Sequence, residues 1–326
     1  MTTCLEHSSR EASSCGNYFG TKSKSSASIS TTSDRMTVPT SVTEALSLEG
    51  LEGVDIQQFI GTGDMKRAIK SRSKKLQAGS SSNQYLIFRP VTMDDLEKID
   101  RERHTIGKHT RMTHYTDTDM LVVKLMPSTK HEAAHLSFAE EWTDRVKAMG
   151  LTRRDYLPLG AGRFCGRRSS KEGDSAYKPS TRKNANDWPT FVIESGLSES
   201  LRCLRSDAEW WLKNSQGEMK IVIVIAICLA RTTIQIEKWE LAPVAERRPS
   251  ARAFPNNPDI PPQDRPQIPT KIQAITINPN SITGPTPLVL EFQKCFLRPA
   301  VPPEGDFIFT AQGLSDWAAY YWDLTR

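Results

Sequence analysis

Apolar residues in this chain fall into short runs that predict strands and into two stripes that predict helices. The run 221–227 has no polar interruption, which is typical of a central strand covered on both faces. The segment 233–239 alternates between polar and apolar residues and predicts a strand with one wet face. Further strands are predicted at 85–88, 119–126, 156–159, 191–193, 272–277 and 288–292.

The clearest helix is predicted over 131–149, where six residues follow one another at spacings of 4, 3, 4, 4 and 3. These residues are His131, His135, Phe138, Trp142, Val146 and Met149. A second helix is predicted to begin at the capping residue Ser198 and to run for about fifteen residues. Its buried stripe is Leu201, Leu204, Ala208, Trp211 and Leu212. Shorter helices are predicted at 54–70, 93–103 and 314–324, the last with exposed aromatic residues.

The order strand–helix–strands–helix–strands predicts an α/β (α+β) fold in which helices flank a sheet. Residues 1–45 are rich in Ser, Thr and Lys and are predicted to be disordered. We expect the folded part to begin near Tyr85. The predicted organisation is a mostly disordered tail at 1–83, a core at 84–240, and a Pro-rich connection with C-terminal strands and a helix at 241–326.

The net charge of the whole chain does not indicate a class of protein, but the charge of one segment does. The formal net charge of +5 is too small to indicate a nucleic-acid-binding protein by itself. Residues 151–183, however, contain nine Lys or Arg residues against three acids. Such a basic rim suits a polyanionic substrate such as nucleic acid, with Arg163, Arg167 and Arg168 as the binding residues. The alternative, to which we give the same weight, is that these charges form the solvated face of a loop and bind no substrate.

Cysteine and hydropathy patterns exclude several classes. None of the six cysteines forms a C-x-x-C pair, so neither a zinc ribbon nor a thioredoxin-like site is predicted. No apolar segment follows a basic start, and the longest apolar run has ten residues, whereas a membrane helix needs about twenty. We therefore expect a soluble intracellular protein, nuclear or cytoplasmic, with no membrane partner.

Two acids are the main candidates for chemistry. Asp174 follows the polar turn 171–173, and Glu194 closes the apolar strand 191–193. If the strands beside them pair, both carboxylates can hold one Mg²⁺ or Mn²⁺ ion, which would activate a water for phosphodiester cleavage. Glu172 is a further metal ligand or a helper. The alternative is a salt bridge from Glu194 to Arg202 or Arg205.

The segment from about 119 to 240 resembles the Uma2-type branch of the PD-(D/E)XK nuclease superfamily, in its fungal form. The resemblance is carried by several short pieces in the same order. The pieces are 126–128 with His131, 172–174, 188–194, 198–202, 207–212 and the strand 220–225. The resemblance implies a four-stranded mixed core sheet flanked by helices and Mg²⁺-dependent phosphodiester cleavage. It gives Asp174 the first acidic role and Glu194 the second.

One position departs from that family's pattern. The pattern has a lysine two residues after the second acid, and this chain has Gly196 there. The resemblance allows a cation from the following helix, which favours Arg205, with Arg202 and Lys220 behind it. Since arginine does not accept a proton at ordinary pH, it would only stabilise charge. A catalytically inactive module for binding nucleic acid or protein is the second hypothesis.

A rival motif, His131-Glu132-Ala133-Ala134-His135, matches the H-E-x-x-H of zinc peptidases. Thr129 and Glu132 also fit a capping box, which gives Glu132 a structural role at the helix start. Both histidines lie on the stripe that is predicted to face the core, and no third ligand is evident in the sequence. The peptidase is therefore the third hypothesis, and His131 is expected mainly to support the fold.

Overall fold

The computed structural model describes residues 50–107, 109–126, 128–197, 201–243 and 266–325. The predicted disordered segment 1–45, the predicted cap at Ser198 and most of the Pro-rich connection lie outside these residues.

The described strands and helices include the predicted ones in order, together with strands that the sequence pattern does not predict, among them those at 110–115, 163–165, 169–172 and 175–179. The strands are β1 (Ile56–Gln58), β2 (Tyr85–Arg89), β3 (Thr110–Tyr115), β4 (Met120–Leu125), β5 (Tyr156–Pro158), β6 (Arg163–Cys165), β7 (Ser169–Glu172), β8 (Ser175–Pro179), β9 (Phe191–Leu197), β10 (Ile221–Cys228), β11 (Thr233–Pro243), β12 (Gln267–Asn278), β13 (Ser281–Thr283), β14 (Leu288–Leu290) and β15 (Phe307–Phe309). The helices are α1 (Thr62–Gln77), α2 (Met93–Arg101), α3 (Arg103–Ile106), α4 (Thr129–Ala148), α5 (Leu201–Asn214), α6 (Phe292–Phe296) and α7 (Ala311–Thr325). Across the described ranges, every helix is too short or too polar to span a bilayer.

The strands form two large sheets and one small one. The first large sheet has the order β1-β2-β4-β3-β7-β6, the second has the order β13-β12-β11-β10-β9-β8-β5, and β14 pairs with β15. Within the second sheet, β9 and β10 are parallel and are joined through α5, whereas β8 and β11 run antiparallel to their neighbours. The four strands β8–β11 therefore form a mixed sheet between α4 and α5. This confirms the predicted α/β (α+β) class and the mixed sheet flanked by helices.

The alternation of side chains across β9 and β10 explains why both strands are apolar. Ile193 and Ile223 belong to the core beneath α4, whereas Val192 and Val222 belong to the core beneath α5. Because helices cover both faces, a strand here needs apolar residues at successive positions rather than at alternate ones. The predicted central strand is thus confirmed in β10.

Two predictions about the periphery are wrong. The folded part begins before Tyr85, because α1 extends to Gln77 and buries Met65 against the first sheet. The aromatic residues of α7 are not all exposed, since Trp317 and Tyr321 are 3% and 1% exposed. Both errors concern amphipathic helices. The apolar face of such a helix packs against a surface that forms only when the protein folds.

The predicted wet face of β11 is also largely covered. Glu237 and Trp239 lie on that face, yet they are 0% and 7% exposed, respectively. Glu237 is bound there by Arg205 of α5 and by the indole of Trp239.

The chain passes from the first sheet to the second at Gly173 and Asp174, between β7 and β8. A side chain at Gly173 would not fit, since a Cβ there would lie 2.9 Å from Cζ2 of Trp211. The carbonyl of Gly173 also accepts a hydrogen bond from Nε of Arg111 at 2.9 Å. This tight crossing brings cations of the first sheet next to the end of β9.

Candidate functional site

Asp174 and Glu194 lie beside each other at the junction of the two sheets. Because Ser175 pairs with Ile193 in the antiparallel ladder, Asp174 follows as the next residue opposite Glu194. Oδ2 of Asp174 accepts hydrogen bonds from the backbone amide of Ser195 at 2.9 Å and from its hydroxyl at 3.2 Å. Each acid is 2% exposed, so each needs a partner within the protein.

Glu194 is held by an indole and faces a lysine. Nε1 of Trp211 donates to Oε1 of Glu194 at 2.6 Å, and Nζ of Lys171 lies 3.9 Å from the same oxygen. Burial raises the pKa of Glu194 to about 8, since the charge of Lys171 does not outweigh the lost solvation. The metal-free carboxyl is therefore largely protonated at neutral pH.

The main ion-pair partner of Lys171 is Asp207 rather than Glu194. Its ammonium lies 2.6 Å from Oδ1 of Asp207, closer than to Glu194. Burial acts to lower the pKa of Lys171, but Asp207 and Glu194 outweigh burial and raise it above its ordinary value. Lys171 is consequently a permanent buried cation between two carboxyl groups.

Asp174 has the opposite electrostatic environment from Glu194. Burial opposes its ionisation, but His131, Lys124, His135 and Arg111 hold its pKa well below its usual range. Burial also lowers the pKa of His131 to about 4, so this imidazole is neutral at pH 7. Lys124 and Arg111 therefore keep Asp174 ionised at neutral pH, and the two acids of the pair are in different protonation states.

Two lysines supply the positive charge that Gly196 cannot. Lys171 comes from β7, and Lys124 comes from β4 and donates to the carbonyl of Ser195 at 2.9 Å. Sequence reasoning missed both as site residues. A signal was present for Lys124, because this single charge interrupts the apolar strand 119–126 and needs a buried acceptor.

A small cleft between the first sheet and α5 opens beside Glu194. Its polar lining includes Arg111, Lys124, Lys171, Glu172, Glu194 and Asp207. Three cations and three acids thus face one concave surface. Such a surface can hold a phosphate group against the lysines while a carboxylate faces the same group.

The structure does not bring Arg205 or Lys220 to the acid pair. Arg205 binds Glu237, and Glu237 is separated from Glu194 by Val224 of the intervening strand, a span of about 10 Å. Lys220 precedes β10, and its ammonium bonds to the carbonyl of Gly217. Neither cation occupies the place predicted for it, because the register of the strands separates them from Glu194.

The position of Arg205 gives a testable prediction. Arg205→Gln removes the bidentate partner of a carboxylate that is 0% exposed, so we expect a loss of about 1–3 kcal/mol in the free energy of unfolding. Any phosphodiesterase activity should stay within about twofold of the unchanged protein. Urea unfolding and a cleavage assay measure the two effects. Arg202→Gln is the matched control, because Arg202 and Glu52 form a pair in which both side chains are 59% exposed. That control should cost less than about 0.5 kcal/mol.

The remaining predicted residues divide between structural pairs and the surface. Glu172 is bound by Arg103 at 3.0 Å and by Arg163 at 3.0 Å, so Glu172 belongs to an ion-pair cluster. Arg163 also binds Asp100 and is not a free rim cation. Arg167 and Arg168 are exposed on the turn between β6 and β7.

The H-E-x-x-H segment forms the start of α4, and both histidines face the core as predicted, with exposures of 1% and 2%. The predicted capping box is wrong, since the N-cap residue is Ser128 and its side chain makes no capping bond. Glu132 instead lies 3.2 Å from Nε2 of His135 and 3.7 Å from Arg111.

A third potential ligand does exist beside these histidines. Ligand atoms of His131, His135 and Asp174 all lie within 4.8 Å of one another. All three residues are buried, which leaves no open position for the carbonyl group of a peptide, as a catalytic zinc site requires. The arrangement therefore does not fit a peptidase.

Among known proteins, the chain shows a distant likeness to solved structures alone. No protein-family model matches the chain, and no curated protein matches it. Among solved structures, the chain is similar to the crystal structure of a candidate nuclease belonging to DUF820 from Anabaena variabilis. That match covers 70% of this chain and 99% of that chain, at 14% sequence identity and a TM-score of 0.36. This likeness is too distant to transfer any residue role to this chain.

Proposed function

We propose that this protein is a divalent-metal-dependent phosphodiesterase that acts on nucleic acid. The observation that carries the proposal is the lysine next to the acid pair: Nζ of Lys171 lies 3.9 Å from Glu194 although Gly196 has no side chain. An acid pair with a fixed ammonium at the edge of a cleft is the arrangement that phosphodiester cleavage needs, since charge develops on the phosphate oxygens.

One oxygen of Asp174 is available to a metal ion. Oδ1 of Asp174 is buried and has no hydrogen-bond partner among the described residues. Nε of Arg111 lies 3.3 Å away, but its hydrogen is donated to the carbonyl of Gly173. Asp174 and Glu194 would hold Mg²⁺ or Mn²⁺, which would polarise the phosphate and activate a water.

Each side chain then has a role that follows from its contacts. Lys171 stays protonated and cannot act as a base, so it stabilises negative charge on the substrate. Arg111 fixes the Gly173 carbonyl and lies against Asp174, so it positions that acid. Arg167 and Arg168 extend positive charge over the exposed turn beyond the cleft, where a polyanion can bind.

The test uses the full chain with labelled single-stranded DNA, duplex DNA and RNA, each with Mg²⁺, Mn²⁺ or a chelator. We expect metal-dependent cleavage that Asp174→Ala and Glu194→Ala reduce by at least about a hundredfold. Lys183→Ala is the matched control, because Lys183 is exposed and lies outside the cleft. No cleavage of any substrate, or cleavage that survives both acid variants, would refute the proposal.

A catalytically inactive module that binds nucleic acid is the second candidate, and one contact favours it. The ammonium of Lys124 bonds to the carbonyl of Ser195, between the two acids, and already supplies positive charge there. This hypothesis expects nucleic-acid binding without cleavage, weakened when Arg167 and Arg168 are both changed to Gln. It also expects that binding does not depend on metal.

A further inference from the structure

We propose that His131, His135 and Asp174 form a binding site for a divalent transition-metal ion of the Zn²⁺ or Co²⁺ class, on the α4 side of Asp174. Ligand atoms of the three residues lie within 4.8 Å of one another. Bonds of about 2.0–2.2 Å place the ligands of such an ion about 3–4 Å apart, so a closure of about an ångström suffices. The site shares Asp174 with the proposed nuclease centre, but it needs neither Glu194 nor a substrate.

Packing alone does not account for two histidines in this position. They lie on the same helix face as Phe138 and are almost fully buried, where leucine would add stability without a polar atom to satisfy. Their ring centroids lie 5.7 Å apart. Nδ1 of His131 and Oδ1 of Asp174 are both buried without a hydrogen-bond partner among the described residues. The atoms of these two residues that are known to lie close together are Nε2 of His131 and Oδ2 of Asp174, at 3.6 Å. Binding an ion through Nε2 would therefore require this nitrogen to give up its hydrogen bond to the carbonyl of Ser195.

The contacts of His135 have the pattern of a metal ligand supported by a carboxylate. Oε2 of Glu132 lies 3.2 Å from Nε2 of His135, so Glu132 can accept the hydrogen from that nitrogen. The lone pair is then on Nδ1, which lies 2.8 Å from the hydroxyl of Ser175. A carboxylate behind a histidine commonly fixes the ring for metal binding, and the serine hydroxyl can rotate away when an ion arrives.

The donors and the neighbouring charges select the class of ion. Two imidazole nitrogens and one carboxylate suit Zn²⁺, Co²⁺ and Ni²⁺, whereas Mg²⁺ prefers oxygen ligands throughout. Arg111 and Lys124 lie next to Asp174 and oppose any added cation, and Glu132 offsets part of that charge. An ion held mainly by charge, such as Mg²⁺, is disfavoured here, and an ion that forms strong bonds to nitrogen is favoured.

The experiment titrates the chelator-treated full chain with Co²⁺ and with Zn²⁺. We expect one tightly bound ion per chain and a Co²⁺ absorption spectrum typical of nitrogen ligation. His131→Gln and His135→Gln should each weaken Zn²⁺ binding by at least about tenfold. Glu194→Gln should leave Zn²⁺ binding unchanged even if it abolishes cleavage, so the two proposals fail separately.

His114→Gln is the matched control. His114 is also fully buried and also leaves Nδ1 unpartnered, yet it does not belong to the three-residue group. Its replacement should not alter Zn²⁺ affinity. The absorption spectrum of Co²⁺ in the unchanged protein gives a result even if a histidine variant does not fold. Absence of stoichiometric binding, a spectrum typical of oxygen ligands alone, or equal affinity in all three histidine variants would overturn the inference.

Discussion

Lys171→Met is expected to lower the free energy of unfolding by about 2–3 kcal/mol, because it leaves the partly buried carboxylate of Asp207 without its cation. The ammonium of Lys171 lies 2.6 Å from Asp207 and 3.9 Å from Glu194, and its side chain is 6% exposed. Met has nearly the same length as the aliphatic part of Lys, so the loss reports the charge rather than a cavity. Urea unfolding monitored by tryptophan fluorescence measures it.

The control for this substitution is Lys213→Met, on the exposed face of α5. Lys213 pairs with Glu209 on the surface, where its side chain is 54% exposed, so the change should cost less than about 0.5 kcal/mol. The double variant Lys171→Met with Asp207→Asn should recover part of the lost stability, since no unpaired Asp207 remains. Equal stability of the Lys171 and Lys213 variants would show that Lys171 is not the counter-charge described above.

Glu194→Gln is expected to separate stability from activity. Any metal-dependent cleavage should fall by at least about a hundredfold, because the amide is a poor ligand for the ion. The metal-free variant should nevertheless be more stable than the unchanged protein at pH 8, by about 1–3 kcal/mol. Glutamine keeps an oxygen for the indole of Trp211 and carries no charge into the buried site.

The direction of the pKa shift of Glu194 determines how the stability difference between the variant and the unchanged protein varies with pH. The pKa of Glu194 is raised from 4.5 to about 8 in the folded protein, so the folded state binds the proton more tightly than the unfolded chain. The stability from the protonated carboxyl is complete below pH 4.5 and is lost as the pH rises towards 8. The variant and the unchanged protein should therefore agree at pH 4.5 and diverge above it. Thermal unfolding in the presence of a chelator, from pH 4.5 to 8.5, measures this, and a constant difference across that range would contradict it.

Asp174→Asn is the informative comparison, because Asp174 is shifted in the opposite direction. The pKa of Asp174 is held well below its usual range, so its contribution is present above the unfolded pKa and is lost only at low pH. Its replacement should destabilise the protein at neutral pH, where Arg111 and Lys124 lose their counter-charge. One acid of the pair thus stabilises the fold while the other opposes it.

The pattern of apolar residues predicted the elements of the core well. The stripe from His131 to Val146 gave α4, and the uninterrupted run at 221–227 gave the central strand β10. The acid pair also emerged from the sequence, since Glu194 at the end of a buried strand required a partner. These features are local, or they have a periodicity that one stretch of sequence shows by itself.

The cations of the site could not be predicted in the same way. Lys124, Lys171 and Arg111 lie on three different strands, and only the order β4-β3-β7 brings them together. The family resemblance favours Arg205 because it lies on the helix that follows Glu194, but one intervening strand places it at Glu237. Likewise, Glu132 has the spacing of a capping residue, and its actual partners, His135 and Arg111, depend on the packing of α4 against the first sheet.

By itself the sequence predicted β9, β10 and β11 of the central sheet and its flanking helices, and it singled out Asp174 and Glu194. The pattern of apolar residues within one segment indicates its secondary structure and its buried face, so these features can be predicted from the sequence alone. The tertiary structure decided which charges meet those acids and how each acid ionises. Those properties depend on strand register and on the crossing at Gly173, which bring together groups from distant segments in a site that excludes most of the water.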